Sequence, residues 1–473
     1  MGSPLSVRAA RVDDAAEMAR VNVRSWRETY RGVMRDEVLD DPELPGIREQ
    51  FWRDILTDER YRANRVAVAE RGGDLIGIAM AAPPQDSDSA WGVQIYVLYV
   101  VEVEHGSGAG AALLDAVLGP RESAVLWVAD PSPRAQAFYR KHGFVADGTV
   151  SVEFGVRVIR MVRTVLAPLG LGLAALGRPA YITTGRRVDL GGDRTVASMR
   201  ENTHAMLDAA WARGIRFFDA ARSYGLAEQF LGSWLTEHPE RRAELTIESK
   251  WGYEYVGAWR MDAEVHERKE HSLHMFERQW PETLAALGGA PDLYLIHSLT
   301  PDSPALGDAA LLDQLRALAA IGVRVGISTS GPHQADALDA ARELESSPFG
   351  AVQATWNLLE PSAGPALARA HDAGWFVVVK EAVANGRLSP EGAADEPAAA
   401  AVAASDGQSV DAFAIGVARS RPWCDLVLSG AVTQGQLDSN LASRAPSMDA
   451  AALAALAENT WAYWAARGAR DWT

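Results

Sequence analysis

Two rhythms of apolar and polar positions run along the chain, and one gives way to the other near residue 166. In the first, from Leu5 to Arg163, a helical spacing covers Ala15 to Tyr30, and β-rich runs follow at Arg65 to Glu70, Leu75 to Ala81 and Val93 to Val103. A glycine-rich turn then leads into a helical pattern from Ala111 to Leu118, with further strand-like runs at Ala124 to Val128 and Val156 to Arg163. The pattern predicts a mixed α/β unit. The short junction Leu166-Ala167-Pro168-Leu169-Gly170 places the boundary between domains of residues 1–165 and 166–473.

The second rhythm consists of short apolar runs separated by long helical patterns, as a parallel α/β sheet or barrel requires. Eight runs stand out: Leu169 to Leu176, Ile215 to Asp219, Leu245 to Lys250, Asp292 to His297, Val323 to Ser328, Ala351 to Gln353 and onward, Trp375 to Lys380, and Asp425 to Gly430. Eight strands over this length predict a (β/α)8 TIM barrel. No internal repeat supports the count, which rests on pattern alone.

Composition narrows the picture. A chain of 473 residues is too long for one core. With 48% hydrophobic and 23% charged residues it has the make-up of an ordinary globular protein. The net charge of -16 argues against nucleic acid or an anionic membrane as a bulk partner, so local donors must hold any anionic cofactor. The single cysteine, Cys424, cannot form an internal disulfide, and no Cys/His cluster has metal-ligand spacing. These features predict no metal and a reducing, cytoplasmic setting. The longest apolar stretches, near Trp375 to Val379 and Ala398 to Ala404, are far short of a membrane span, which predicts a soluble protein. Met1-Gly2-Ser3-Pro4-Leu5-Ser6 formally fits a myristoylation pattern but reads better as a plain start.

In the first half, the run Val93 to Val100 leads to His105-Gly106-Ser107-Gly108-Ala109-Gly110 and the helix opening at Ala111. Bare backbone N–H groups at a helix N-terminus, with its positive dipole end, make an anion site suited to a pyrophosphate. Val100, His105, Gly106, Gly108, Gly110 and Ala111 are its candidate binding positions. A dinucleotide fold would need an acidic residue about 20 positions on. The chain has Leu126-Trp127-Val128 there, which weakens that alternative. A glycine-rich connection without a ligand is the bland alternative.

Taken with Ser132-Pro133-Arg134-Ala135-Gln136-Ala137-Phe138-Tyr139-Arg140-Lys141-His142-Gly143-Phe144, this turn resembles the GNAT superfamily of acetyl-CoA-dependent acyltransferases over nearly all of residues 5–163. The resemblance maps the family's Gln/Arg-x-x-Gly-x-Gly loop onto His105, Gly108 and Gly110, and its later tyrosine onto Tyr139. His105 departs from the usual Gln or Arg, and Ser132, a further cofactor-binding candidate, stands where Asn is common. The implied chemistry is attack of a neutral amine on the thioester, with Tyr139 protonating the departing thiolate. Packing of the Tyr139 ring against Phe138 and Phe144 is the plain alternative. Trp26, Tyr30 and Tyr99 could line an acceptor pocket, although aromatics at such spacing are more often core.

In the second half the polar residues that interrupt apolar runs sit at the runs' C-terminal ends: Asp219, Lys250, His297, Ser328, Gln353 and Lys380. In a TIM barrel those ends meet at one mouth. The segments Gly214 to Gly225, Ser249-Lys250 and Asp292 to Ser298 resemble the aldo-keto reductase family, with the likeness covering residues 169–447. The resemblance implies a catalytic tetrad of Asp219, Tyr224, Lys250 and His297. Hydride transfer to a carbonyl leaves an alkoxide, and a tyrosine whose pKa of about 10 is lowered by the Lys250 ammonium supplies the proton. Asp219 would hold Lys250, and His297 would orient the carbonyl or relay the proton. Singly, each has a duller reading as a cap, a solvated strand end or a satisfied core group.

The resemblance also assigns Ser328 and Gln353 to the nicotinamide amide, and Gly430, Thr433, Gln436 and Asn440 to an adenosine-end loop. Gln436 stands where a basic residue often grips a 2′-phosphate. NADPH is the expected cofactor, with NADH open. Lys380-Glu381 lies where relatives place an aromatic on the nicotinamide, and a structural ion pair is the other reading of these two. The sequence thus predicts a bifunctional enzyme using acetyl-CoA and NADPH on a small molecule bearing an amine and a carbonyl or iminium, in secondary or amino-compound metabolism. Its rivals are an NADPH-binding redox sensor with a protein-modifying acyltransferase, and a reductase with a degenerate CoA-binding domain. The oligomeric state stays open.

Overall fold

The computed structural model describes residues 3–84, 91–119, 122–153, 155–165, 167–181, 189, 192–448 and 450–470. Met1, Gly2 and Leu166, touched by the sequence reading, lie outside them. The chain divides into two compact units, Met1–Val165 and Leu166–Thr473.

The first unit is a seven-stranded sheet ordered β1-β2-β3-β4-β5-β7-β6. Its strands are β1 (Leu5–Ala9), β2 (Arg65–Arg71), β3 (Asp74–Ala82), β4 (Val93–Val100), β5 (Ala124–Ala129), β6 (Val145–Glu153) and β7 (Val156–Arg163). Helices Ala15–Tyr30, Leu44–Thr57, Ala109–Val117 and Pro133–Lys141 are interleaved with them. Their contacts explain why β3 is apolar along most of its length: Met18, Trp52, Ile78, Leu113 and Phe144 share one buried core. Gly77 is required where the Ala109–Val117 helix crosses β3, since a Cβ there would lie 2.8 Å from Leu113 Cδ1. β4 and β5 are parallel neighbours only over Val93–Ile95 and Ala124–Leu126. Past that point the sheet opens, on the side where β4 leads into the glycine turn.

The Ala15–Tyr30 helix has the expected bounds, whereas β4 stops at Val100 and Glu102–Glu104 forms a 3-10 turn. Expected to extend to Val103, the run ends early because the chain must bend before the glycines. β1, β6 and the Leu44–Thr57 helix carry weaker sequence signals. β1 has only five residues, and β6 is an edge strand with Val145, Val150 and Val152 exposed.

The second unit is a closed barrel ordered β10-β13-β14-β15-β16-β17-β8-β9. Its strands are β8 (Leu169–Gly172), β9 (Phe217–Asp219), β10 (Thr246–Trp251), β13 (Leu293–Leu299), β14 (Arg324–Thr329), β15 (Ala351–Thr355), β16 (Phe376–Lys380) and β17 (Leu426–Ser429). Closure is made by parallel pairing of β17 with β8 and of β8 with β9. An antiparallel hairpin, β11 (Tyr253–Tyr255) and β12 (Glu267–Lys269), follows β10 and was not anticipated.

Side chains alternate across each strand, so residues two apart share the barrel interior. Phe217, Leu293, Leu295, Val378, Leu426 and Leu428 fill its lower part. The same inward rows then turn polar: Phe217 is followed by Asp219, Leu295 by His297, and Val378 by Lys380. An apolar floor therefore carries a polar layer at the C-terminal strand ends. Among the described residues, no helix is long and apolar enough to cross a membrane, and no cluster of His, Cys, Asp and Glu has the geometry to hold a metal ion.

Candidate active site

At the barrel mouth β10 delivers Lys250, fully buried, with its ammonium donating to Asp219 Oδ1 at the end of β9. It donates a second bond to the Ala220 carbonyl at 3.0 Å. Such burial is tolerable only because the charge is paired and hydrogen-bonded. Glu248, two residues earlier on the same inward row, places Oε1 3.7 Å from the ammonium. Gln353 Nε2 bridges the two acids, donating to Asp219 Oδ1 at 3.2 Å and to Glu248.

The chain leaving β9 turns tightly, with Tyr224 N donating to the Ala221 carbonyl at 3.0 Å. Gly177 lies against the Tyr224 carbonyl, where a Cβ would collide with it. The loop thereby sets the Tyr224 ring 4.8 Å from Lys250 Nζ and edge-on to His297, with ring centroids 5.4 Å apart. His297 Nδ1 lies 3.3 Å from Ser223 Oγ, and Tyr253 from the hairpin packs at 5.0 Å on the imidazole. Asp219, Tyr224, Lys250 and His297 are thus brought together from three separate stretches of chain, the end of β9 with its following turn, β10 and β13.

The electrostatics correct one expectation. Burial, followed by the Asp219 carboxylate, pushes the Tyr224 hydroxyl well above its usual range, where the sequence reading expected Lys250 to lower it. The reason is geometric: Lys250 is committed to Asp219 and faces the phenol ring. His297 is held well below its usual value by burial and then by Lys250, Lys380 and Arg178, so the imidazole is neutral. Burial and the neighbouring Asp219 push Glu248 well above the usual carboxylate range.

Ser328 Oγ accepts from Ser298 N at 2.8 Å, which leaves its own hydroxyl hydrogen for another partner. Gln353 turns its amide nitrogen to the two carboxylates. The ion pair of Lys380 with Glu381, the alternative reading of these two residues, is loose, at 4.0 Å. Glu381 is instead clasped by Arg467, at 2.5 and 3.0 Å, with Thr355 Oγ1 donating at 3.1 Å. Arg467 comes from the Thr460–Gly468 helix, outside every motif the sequence reading used. Burial lowers the Lys380 ammonium to about 8, and the two cations near Glu381 bring its carboxyl to about 2 against the effect of burial.

Beyond Gly430, Thr433 caps the Gln434–Leu441 helix by accepting from Gln436 N at 3.3 Å. Gln436 Oε1 accepts from Val432 N at 3.0 Å, and its Nε2 donates to Asp189 Oδ2 at 2.8 Å. Asn440 donates to Asp411 Oδ2 at 3.0 Å and accepts from Ser429 Oγ at 2.7 Å. A cavity of about 540 Å³ joins both ends, lined among others by Tyr224, His297, Lys380, Asp411, Gly430 and Gln436. Glu248 escaped the sequence reading although it shares the inward row with Lys250. The period-two rule alone would have found it.

In the first unit, Gly108 is the N-cap of the Ala109–Val117 helix at φ 90°, and Gly106 has φ 83°. Both are left-handed positions that suit glycine. Ala111 lies in the helix's first turn, as does Gly110, which packs on Phe138. His105 turns its Nε2 back to the carbonyl of Val100, at 2.9 Å. Ser132 is the N-cap of the Pro133–Lys141 helix without a side-chain cap bond. Tyr139 is buried against Phe138 and Phe144, and burial raises its hydroxyl. Trp26 Nε1 donates to Tyr99 OH at 2.9 Å, and the Tyr30 ring stands edge-on to Trp26 with centroids 6.3 Å apart. The Arg48 guanidinium lies 4.1 Å from the centre of the Trp26 ring. These aromatics, ranked as core by the sequence, form a hydrogen-bonded group beside Tyr139, whose hydroxyl acts electrostatically on Tyr99.

Comparison with known proteins agrees with this division. The aldo/keto reductase family model matches residues 168–458, and a GNAT acetyltransferase domain model matches residues 38–165. The chain belongs to the aldo/keto reductase family through its second unit and carries a GNAT acetyltransferase domain as its first. It is 30% identical over 149 residues to a probable N-acetyltransferase of Mycobacterium tuberculosis, spanning 31% of this chain and 83% of that protein. An aldo-keto reductase of Gibberella moniliformis is 32% identical over 140 residues, 29% of this chain and 39% of the relative. A solved aldo-keto reductase from Bacillus halodurans superposes with a TM-score of 0.47 at 21% identity, covering 62% of this chain and 93% of that one. The protein is therefore an enzyme that joins an N-acetyltransferase to an aldo-keto reductase.

Proposed function

We propose that residues 1–165 transfer the acetyl group of acetyl-CoA to an amine and residues 166–473 reduce a carbonyl or iminium, on the same or successive small molecules. What supports the reading is the convergence of Asp219, Tyr224 and His297 on one cavity wall, with Lys250 buried against them. The cavity also suits a nicotinamide dinucleotide: Asp411 Oδ1 and Asn385 Oδ1 line it as buried acceptors without partners among the described residues, ready for ribose hydroxyl or amide N–H donors. Bound NADPH or NADH supplies the hydride.

Tyr224 holds its proton because its phenol is raised, and an alkoxide is a stronger base than any phenolate, so the transfer stays downhill. Neutral His297 orients the carbonyl oxygen toward Tyr224. Asp219 and Lys250 fix the ring face and the field beneath it. Ser328, Gln353 and Lys380 serve the nicotinamide end, while Gly430, Thr433, Gln436 and Asn440 serve the adenosine end.

In the first unit the backbone of Gly106, Gly108, Gly110 and Ala111, with Val100, His105 and Ser132 beside it, receives the CoA pyrophosphate and its arm. A phenol raised by burial cannot readily hand its proton to a thiolate, whose own pKa is about 8.5. Tyr139 therefore acts as a hydrogen-bond donor to the developing thiolate. The setting is the reducing cytoplasm, in keeping with the single buried Cys424. Covalent fusion supplies the two activities in equal amounts, which suits a shared intermediate.

The test incubates the full chain with acetyl-CoA, either nicotinamide nucleotide and a panel of amino aldehydes and amino ketones, following free thiol release and nucleotide oxidation. Both signals are expected with one substrate. Inertness toward both cosubstrates ends the reading, and tight nucleotide binding without turnover favours the sensor.

A further inference from the structure

We infer that the reductase cavity selects NADH over NADPH, with Asp189 and Asp411 as acceptors for the hydroxyls of the adenosine ribose. The inference rests on the reading that this cavity holds a nicotinamide dinucleotide.

The cavity's two ends differ in charge. Among the described residues, its cations gather at the tetrad end. Arg178 lies 5.1 Å from the centre of the Tyr224 ring and pairs with Glu267, Arg467 clasps Glu381, and Arg470 donates to the Asn385 carbonyl at 3.1 Å. Lys380 completes them at the end of β16. At the other end, around Gly430 and Gln436, the charged lining groups among the described residues are the carboxylates of Asp189 and Asp411.

Nor is Gln436 free to grip a phosphate. Its carbonyl oxygen is taken by Val432 N and its amide nitrogen by Asp189 Oδ2. The amide thus acts as a strut that presents a carboxylate where a basic side chain would serve NADPH. Asp411 is 5% exposed and lines the cavity; one oxygen accepts from Asn440 and the other, Oδ1, is buried with no partner among the described residues. Ser429 fixes the Asn440 amide and so orients Asp411 in turn. The wall therefore asks for hydrogen-bond donors.

A ribose 2′-hydroxyl is a donor, and a carboxylate accepting from it is the usual means of recognising NAD. A 2′-phosphate is chiefly an acceptor and carries about two negative charges, so it meets repulsion and leaves the buried oxygen unpaired.

The experiment measures equilibrium dissociation constants of NADH and NADPH for the full chain without substrate, by titration calorimetry or quenching of tryptophan fluorescence. NADH is expected to bind roughly tenfold or more tighter, on the scale of one unpaired buried polar group. Gln436→Arg with Asp189→Asn is expected to narrow or reverse the preference, and Gln436→Arg alone, at a half-buried helix position, to move it the same way. Asp411→Asn is expected to weaken NADH more than NADPH, with thermal unfolding confirming that each variant is folded. Equal affinities, tighter NADPH, or an unchanged ratio in folded variants overturns the inference while leaving the dinucleotide reading intact. Failure of both nucleotides to bind overturns this inference and the dinucleotide reading together.

Discussion

The ammonium of Lys250 sits 4.8 Å from the centre of the Tyr224 ring and spends its hydrogen bonds on Asp219 and the Ala220 carbonyl. The lysine therefore acts on the tyrosine through the ring face, while the carboxylate beside it works against ionisation of the phenol. With the phenol raised, the pH profile of reduction is expected to show no alkaline fall from Tyr224 as pH climbs toward about 10. A basic limb that vanishes in Tyr224→Phe would contradict this arrangement.

Removing the proton donor itself is a separate matter. Tyr224→Phe is expected to lower carbonyl reduction by roughly 100-fold or more, the usual worth of a positioned acid, with thermal stability little changed. Acetyl transfer measured as thiol release in the same preparation is the internal control. Retention of full reductase rate would remove Tyr224 from the proposed chemistry.

Lys250→Met leaves the buried Asp219 and Glu248 carboxyls without their cation. Breaking such a pair costs on the order of 3–5 kcal/mol, read as a drop in the denaturant midpoint. The double variant Lys250→Met with Asp219→Asn is expected to recover much of that stability and none of the reduction. If the single variant unfolds like the parent, the polar layer does not carry the charge balance described.

His271 is buried, bonded to Ser303 Oγ at 2.7 Å and to the His297 carbonyl at 2.8 Å, and burial lowers it to about 4. Because the unfolded chain binds this proton more readily, stability is intact above about pH 6.5 and is lost as pH falls toward 4, by up to about 3 kcal/mol. Denaturation midpoints compared across that window in the parent and in His271→Gln test it. The variant should lose that share of the slope, and an unchanged slope would assign it elsewhere.

In the first unit, Gly108→Ala forces an alanine to φ 90°, in open space but with a strained backbone. The strain is of order 1–3 kcal/mol and falls on the turn proposed to hold the pyrophosphate. The apparent KM for acetyl-CoA is expected to rise more than kcat falls. The opposite split would place the turn's contribution in chemistry.

Much of the barrel was legible because the alternation of its strands is simple: Phe217 before Asp219 and Val378 before Lys380 announce an inward row that turns polar at its end. The neighbours that decide how those residues behave were not legible. Arg467 reaches Glu381 from 86 positions away on a late helix, Arg178 arrives on a loop, and Asp189 is a helical residue that no periodicity marks. The direction of the Tyr224 shift was missed for a related reason. A sequence names the charges, but burial and orientation set which one a phenol feels.

The polar layer at the strand ends sets two acids, Asp219 and Glu248, against the single base of Lys250, and burial holds one of them, Glu248, well above the ordinary carboxylate range. Burial thus favours the neutral form of Glu248 inside the barrel, while its Oε1 accepts from Gln353 Nε2. For that reason glutamine at position 248 would change the charge balance little, whereas leucine there would leave the Gln353 amide nitrogen with Asp219 as its remaining partner.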